Sequence, residues 1–208
     1  MGKWYLVRHG ESEWNQEGRI LGHADVGLSE LGRRQVELLS TRMAGESIDA
    51  AYSSDLSRAV DTATGTLGER DVPLITDPDL REFSYGEWEG LTLQEVKEED
   101  PVLFDARFTR GDNAFAAPGG ETSEDILKRV QHFVKGVEER HSPDEDLLIV
   151  GHGGSMRALA LCLLDLTDES MWKLRMSNAS VSIISNHSRG RVLELWNDTH
   201  HLVGIDER

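Results

Sequence analysis

The sequence predicts an α/β fold, a three-layer α/β/α sandwich around a mainly parallel sheet. Short apolar runs alternate with longer helical patterns along most of the chain, which is typical of parallel sheets. The run at residues 146–150 follows an acidic turn and is almost continuously apolar, as in a strand buried on both faces. Because the chain has 208 residues, we expect one domain spanning residues 1–208.

Each predicted element follows from a local pattern. Strands are predicted where large apolar residues alternate or cluster, at residues 3–8, 50–53 and 146–150 and in a final hairpin of 181–185 and 191–196. Helices are predicted where apolar residues recur at helical spacing, at residues 29–44, 56–67 and 155–166 and from a cap at Thr122 or Ser123 through Val137. The stretch at residues 73–76 is too short to assign.

The segment at residues 100–120 has the least regular pattern in the chain. Long segments of this kind often form lids or binding walls, so we predict a lid or substrate loop here. Its phenylalanines and its two arginines, Arg107 and Arg110, suggest an apolar wall with a second anion site. Trp14 and Trp88 either belong to the core or help to select the substrate. A surface loop over a small satellite core is the alternative that the sequence leaves open.

The net charge of the chain limits the molecules that it can bind. The chain carries 22 basic and 38 acidic residues, a net charge of −16, which disfavours nucleic acid and anionic membranes. An anionic substrate therefore needs a local island of arginine and histidine. No export signal or bilayer-length apolar run is recognisable, and the lone Cys162 fits a buried free thiol. We expect a cytoplasmic protein.

An arginine and two histidines with adjacent glycines stand at the ends of two predicted strands. Arg8-His9-Gly10 follows the first strand, and Gly151-His152-Gly153 follows the strand at 146–150. Ligands of parallel sheets bind beyond the carboxyl ends of the strands. If the two strands are neighbours, His9 and His152 meet in one site.

The residues after the first strand are suited to the transfer of a phosphoryl group. A neutral histidine can attack phosphorus through one ring nitrogen, while the other nitrogen donates its proton, usually to a backbone carbonyl. Gly10 permits a close approach of the backbone, and Arg8 offers a planar fork of donors to phosphate oxygens.

The chain resembles the histidine phosphatase superfamily, which includes the cofactor-dependent phosphoglycerate mutases. Any Arg-His-Gly alone is a weak signal, but here five blocks match the family's motifs in the right order. They lie at residues 6–15 (Arg-His-Gly-Glu-Ser-x-x-Asn within it), 53–63, 80–90, 119–122 and 150–154. The resemblance implies a phosphoglycerate mutase-like fold and a metal-independent phosphomonoesterase without a cofactor, acting on a small phosphorylated molecule. A homodimer is a further expectation from the family.

The resemblance also implies roles for particular residues. His9 is expected to carry the phosphoryl group, and Glu82 to act as general acid and then as general base. The groups expected to bind phosphate oxygens and stabilise their charge are Arg8, Arg58, His152, Asn15 and the backbone of Gly153. Phosphoryl transfer needs mainly positioning and charge stabilisation, which two guanidiniums and a histidine can supply.

A cofactor-dependent phosphoglycerate mutase is the alternative function. Mutases of the superfamily carry a Leu and a Lys in the block after the catalytic acid, where this chain has Trp88 and no lysine. They also have a paired arginine for the carboxylate, whereas Arg107 and Arg110 are not adjacent. Both departures favour a phosphatase. A metal hydrolase built on His9, His23 and His152 has no supporting ligand spacing, and a silent binding domain is disfavoured because the nucleophile and both arginines are present.

Overall fold

A computed structural model describes residues 1–112 and 114–205 of the chain. Six strands form one sheet in the order β3-β2-β4-β1-β5-β6. Strands β1 to β4 run parallel, while β5 and β6 form an antiparallel hairpin at one edge. Their bounds are β1 Lys3–Arg8, β2 Ala50–Ser53, β3 Leu74–Thr76, β4 Leu147–Gly151, β5 Val181–His187 and β6 Gly190–Asp198. The predicted mainly parallel sheet is confirmed.

Helices cover both faces of this sheet. They are α1 Glu13–Glu17, α2 Glu30–Met43, α3 Ser57–Leu67, α4 Leu93–Glu99, α5 Pro101–Phe104, α6 Ser123–Arg140 and α7 Gly153–Leu163. Alternate residues of β1 point to opposite faces: Leu6 belongs to the core under α6 and α7, and Val7 to the core under α2 and α3. These two cores make the predicted three-layer sandwich.

Several predicted boundaries shift in the structure. The helix predicted at residues 155–166 spans Gly153–Leu163, because the glycines after His152 already turn as its first residues. It stops before Asp165, which has a positive φ of 53°. The unassigned stretch at 73–76 forms an edge strand, and Thr122 rather than Ser123 caps α6.

The segment at residues 100–120 is more regular than its sequence suggests. It contains α5 and a π-helical turn, Asp105–Thr109, and its Asn113 lies outside the described residues. Its aromatic side chains pack on a satellite core around Trp88 and Val96. Of the described helices, none is long and apolar enough to cross a membrane.

Candidate active site

Strands β1 and β4 are direct neighbours, with Arg8 paired opposite Gly151. The residues that follow them, His9 and His152, therefore meet at the same edge of the sheet. Their ring centroids are 5.0 Å apart with an interplanar angle of 60°, and the side chains are 1% and 0% exposed. The strand-end argument predicted this meeting.

The ring of His9 has a defined tautomer. Its Nδ1 lies 2.6 Å from the carbonyl oxygen of Gly10, and a carbonyl can only accept, so Nδ1 carries the proton. The lone pair is then on Nε2. Burial, followed by the positive charges of Arg58 and Arg8, holds the pKa of His9 well below 6.5. The ring is thus neutral at pH 7, as a nitrogen nucleophile has to be.

Arg58 is fully buried beside these rings. It donates from Nη1 to the carbonyl of Ala24 at 2.7 Å and from Nη2 to the carbonyl of Gly22 at 2.9 Å. Its Nε donates to Nδ1 of His152 at 3.3 Å. Burial lowers the pKa of Arg58 to about 10, so the group still carries its charge at neutral pH.

This contact fixes His152 in the tautomer opposite to that of His9. Because its Nδ1 accepts from Arg58, Nε2 carries the proton, and that buried nitrogen has no partner among the described residues. The pKa of His152 is well below 6.5, mainly through burial and then through Arg58. A neutral N–H donor is therefore presented beside His9.

The guanidinium of Arg8 is hydrogen-bonded through one nitrogen, Nη1, and leaves another, Nε, without a partner in the described chain. Its Nη1 donates to the carbonyl of Met176 at 2.7 Å, while its buried Nε has no hydrogen-bond partner in the described chain. Gly153 lies against it, since a Cβ placed there would be 3.7 Å from Nε of Arg8 and 3.6 Å from Oε2 of Glu82. Gly153 therefore lies in van der Waals reach of both the arginine and the carboxyl.

Backbone N–H groups hold Glu82 at the start of α7. Its Oε1 accepts from the N–H groups of Phe83 and Gly154, both at 2.9 Å. The backbone carbonyl of Glu82 accepts from Arg129 at 2.8 Å and contacts Nε2 of His23 at 2.9 Å. Two backbone N–H groups therefore hold the carboxyl of Glu82, while Arg129 and His23 hold its backbone.

Asn15 takes part in a helix cap and also lies at the cleft. Its Oδ1 accepts from the backbone N–H of Ser12 at 3.1 Å, and the two residues form a capping box on α1. Asn178 also donates to this oxygen, at 3.3 Å, and to the carbonyl of His9 at 3.1 Å. Asn15 lines the cleft as well, with its amide NH₂ available to donate.

Three of the predicted site residues, Arg8, Asn15 and Glu82, line a cleft of about 180 Å³. The others lie next to them: His9 and Arg58 contact His152, and Gly153 lies against Arg8 and Glu82. The residues that line the cleft are Arg8, Asn15, Arg19, Ile20, Leu21, Gly22, Glu82, Tyr85 and Phe108. Sequence reasoning missed Asn178, Arg129 and Tyr85 as parts of the site. No motif marks the first two, whereas Tyr85 stands in the block that supplied Glu82.

The predicted second arginine of the segment at 100–120 lies elsewhere. Arg110 is exposed and pairs with Asp105 at 3.0 Å, whereas Arg107 is 4% exposed. Phe108 does line the cleft. Phe108 thus supplies part of the suggested apolar wall, whereas neither Arg107 nor Arg110 is among the residues that line the cleft.

The family profile described as the histidine phosphatase superfamily, branch 1, matches residues 4–199. The chain belongs to this superfamily. Its members in this comparison include Phosphoserine phosphatase 1 of Hydrogenobacter thermophilus, which is 35% identical over 202 residues, covering 97% of this chain and 95% of the relative. The metal-independent phosphoserine phosphatase of Arabidopsis thaliana is 31% identical over 202 residues, covering 96% and 83%.

A solved structure supports the same assignment. The mycobacterial glucosyl-3-phosphoglycerate phosphatase superposes with a TM-score of 0.88 at 32% identity, covering 96% of this chain and 100% of the other. The fold is thus that of the phosphoglycerate mutase-like histidine phosphatases. Its family and its phosphatase relatives identify the enzyme as a phosphoric monoester hydrolase.

Proposed function

We propose that this enzyme hydrolyses a small phosphorylated metabolite through a phosphohistidine on His9, with no metal ion in the reaction. The observation that carries the proposal is the tautomer of His9: Nδ1 donates to Gly10 and leaves the Nε2 lone pair beside two guanidiniums. The name of the Arabidopsis relative supports independence from metal.

In the first step, Nε2 of His9 attacks phosphorus and the ester P–O bond breaks. The protonated carboxyl of Glu82 gives its proton to the departing alkoxide, which leaves as an alcohol. Arg8, Arg58 and the Nε2–H of His152 stabilise the charge on the equatorial oxygens. Donors from Asn15 and from the backbone of Gly153 complete this cradle.

In the second step, the carboxylate of Glu82 accepts a proton from water. The hydroxide attacks phosphorus, the N–P bond to His9 breaks, and inorganic phosphate leaves. Glu82 ends the cycle protonated and His9 neutral, as both began. The two backbone N–H groups that hold Glu82 support its use in both steps, because the carboxyl keeps one position.

We also propose that residues 1–208 act as one catalytic domain, with the segment at 100–120 as its lid. Phe108 of this segment forms part of the cleft wall, and its packing on a satellite core separates it from the main cores. Relatives named for phosphoserine and for glucosyl-3-phosphoglycerate indicate a small anionic phosphomonoester as substrate.

The test measures release of inorganic phosphate from a panel of phosphomonoesters in the presence of EDTA. We expect the wild type to release phosphate and His9→Ala to release it at least a thousandfold more slowly. Glu82→Gln should release phosphate slowly while its His9 still takes up the label. The label from a ³²P substrate should be acid-labile and alkali-stable, as on histidine. His132→Ala, which changes an exposed histidine, is the matched control.

Two outcomes would contradict the proposal. Undiminished hydrolysis by His9→Ala would rule out a phosphohistidine intermediate on this residue. Interconversion of 2- and 3-phosphoglycerate on addition of the bisphosphate, without phosphate release, would assign the chain to the mutases instead.

A further inference from the structure

A short segment at residues 176–179, just before β5, lies against the end of β1. The carbonyl of Met176 accepts from Nη1 of Arg8 at 2.7 Å. The backbone N–H of Ala179 donates to the carbonyls of Arg8 and His9, at 3.0 and 3.1 Å. Two of the residues with a role in the proposed mechanism are thus held by a segment from far along the chain.

The side chain of Asn178 in this segment has a defined orientation. Its amide lies 3.1 Å from the carbonyl oxygen of His9 and 3.4 Å from that of Gly10. Because a carbonyl can only accept a hydrogen bond, the atom that faces both oxygens is the NH₂ nitrogen. The same oxygen of Gly10 accepts from Nδ1 of His9 at 2.6 Å. Asn178 therefore holds the carbonyl that keeps the proton of His9 on Nδ1 and its lone pair on Nε2.

Asn178 also contacts the amide of Asn15. Its Nδ2 lies 3.3 Å from Oδ1 of Asn15, and this oxygen accepts from the backbone N–H and the hydroxyl of Ser12, at 3.1 and 2.9 Å. A backbone N–H can only donate, so the oxygen end of the Asn15 amide faces Ser12 and Asn178. Asn15 lines the cleft. A donor on Asn178 thus favours the orientation in which Asn15 presents its NH₂ group to a phosphate oxygen.

The backbone of the segment at 176–179 has an uncommon conformation, which the end of β6 supports. Ala179 has a φ of 52°, in the left-handed region that disfavours a residue with a Cβ. Oδ1 of Asn197 accepts from the N–H of Ser177 at 2.6 Å, and Nε1 of Trp196 donates to the carbonyl of Arg175 at 2.7 Å. Strained backbone persists where its surroundings enforce it, and it clusters at functional sites.

We propose that Asn178 is a positioning residue for the hydrolysis. It acts on the ring of His9 through the carbonyl of Gly10, and on the bound phosphate through the amide of Asn15. Asn178 is not among the residues that line the cleft, so its effect passes through these neighbours. What the place requires is a donor, because all three groups that face Nδ2 are oxygen acceptors. The inference rests on the proposed phosphohistidine mechanism.

Two substitutions separate the donor from the space that it fills. Asn178→Ala removes the amide, and we expect kcat for a phosphomonoester to fall about tenfold, as for the loss of one hydrogen bond in the transition state. Asn178→Asp keeps the shape, but a carboxylate only accepts. At pH 7.5 its kcat should therefore be lower than that of Asn178→Ala.

The pH dependence of the two variants provides a readout that a loss of packing would not change. The oxygens around residue 178 raise the pKa of a carboxyl placed there, and protonation returns a donor to it. Between pH 7.5 and pH 5, the kcat of Asn178→Asp relative to the wild type should rise. The relative kcat of Asn178→Ala should stay level.

A double-mutant cycle tests the route through Asn15. If Asn178 orients this residue, the loss of kcat/KM in the double variant Asn15→Ala/Asn178→Ala should be smaller than the product of the two single losses. Asn186→Ala is the matched control, because Asn186 also donates to a backbone carbonyl, that of Pro143 at 3.0 Å, but lies at the opposite end of β5. We expect it to keep the wild-type kcat.

Wild-type kcat in folded Asn178→Ala, or in Asn178→Asp at pH 7.5, would overturn the proposal, and so would losses that multiply in the double variant. Urea unfolding of each variant checks that it is folded, and Asn178→Asp carries the comparison where Asn178→Ala is not. A failure of the proposed function is distinguishable, since the wild type itself would then show no His9-dependent hydrolysis.

Discussion

At the scale of single residues, the site depends on one position without a side chain. Gly154 is the second residue of α7, and its N–H donates to both carboxyl oxygens of Glu82, at 2.9 and 3.1 Å. A Cβ at this position would lie 2.2 Å from Oε1 of Glu82 and 2.4 Å from Cδ2 of Phe83. The proposed acid occupies its place because residue 154 leaves room for it.

We therefore expect Gly154→Ala to displace Glu82 and to lower kcat by about a hundredfold or more, the usual contribution of a general acid. Steady-state kinetics with p-nitrophenyl phosphate, whose leaving group needs little protonation, should show a smaller loss than with an alkyl phosphate. Gly45→Ala is the control, because a Cβ there meets nothing within 4 Å. Equal activity of Gly154→Ala and wild type on both esters would contradict this account.

At the scale of elements, α6 orients the proposed acid through its side chains. Arg129 of this helix donates to the carbonyl of Glu82 and pairs with Glu121 at 2.9 Å. The helix begins with a capping box, in which Oγ1 of Thr122 accepts from the N–H of Asp125 at 3.2 Å and Asp125 accepts from the N–H of Thr122 at 3.0 Å. A loss of this cap loosens the end of the helix nearest the site.

Thr122→Ala should accordingly destabilise the fold by about 1 kcal/mol, the typical cost of a lost N-cap. The midpoint of urea unfolding should fall while the slope m stays the same. Thr64→Ala changes an exposed threonine inside α3, where alanine is the better helix former, and should not destabilise. An unchanged midpoint for Thr122→Ala would mean that the capping box contributes nothing to stability.

At the scale of the whole molecule, burying His9 and His152 makes folding sensitive to acid. Both rings have a pKa well below 6.5, chiefly through burial, whereas an unfolded chain titrates them near 6.5. Below that pH the unfolded state binds more protons, so stability is fully present above pH 6.5 and is lost as the pH falls toward the folded values. Each histidine contributes a slope of about 1.4 kcal/mol per pH unit.

Urea unfolding between pH 7.5 and pH 5 measures this slope. We expect the free energy of unfolding to be level near pH 7.5 and to fall below pH 6.5, and His9→Gln to remove about 1.4 kcal/mol per pH unit from the slope. His201, whose pKa burial also lowers, adds to the slope in both proteins. The same slope in His9→Gln and wild type would show that His9 is not held neutral by the fold.

Much of the fold and of the site could be predicted from the sequence. The alternation of apolar runs and helical patterns predicted a mainly parallel sheet, and the structure has four parallel strands. His9 and His152 follow two apolar strands, so the rule that ligands bind beyond strand ends was enough to expect them in one place. These signals are local, because propensity, periodicity and capping act over a few neighbouring residues.

Only the tertiary structure decided which remaining groups join the site. Arg107 and Arg110 are three positions apart in one segment, yet Arg107 is buried and Arg110 faces solvent, paired with Asp105. Arg129 and Asn178 reach the site from α6 and from the approach to β5, with no motif of their own. The burial of a side chain depends on segments that pack against it from far along the chain, such as Trp172 against Arg107, and local sequence carries no record of that contact.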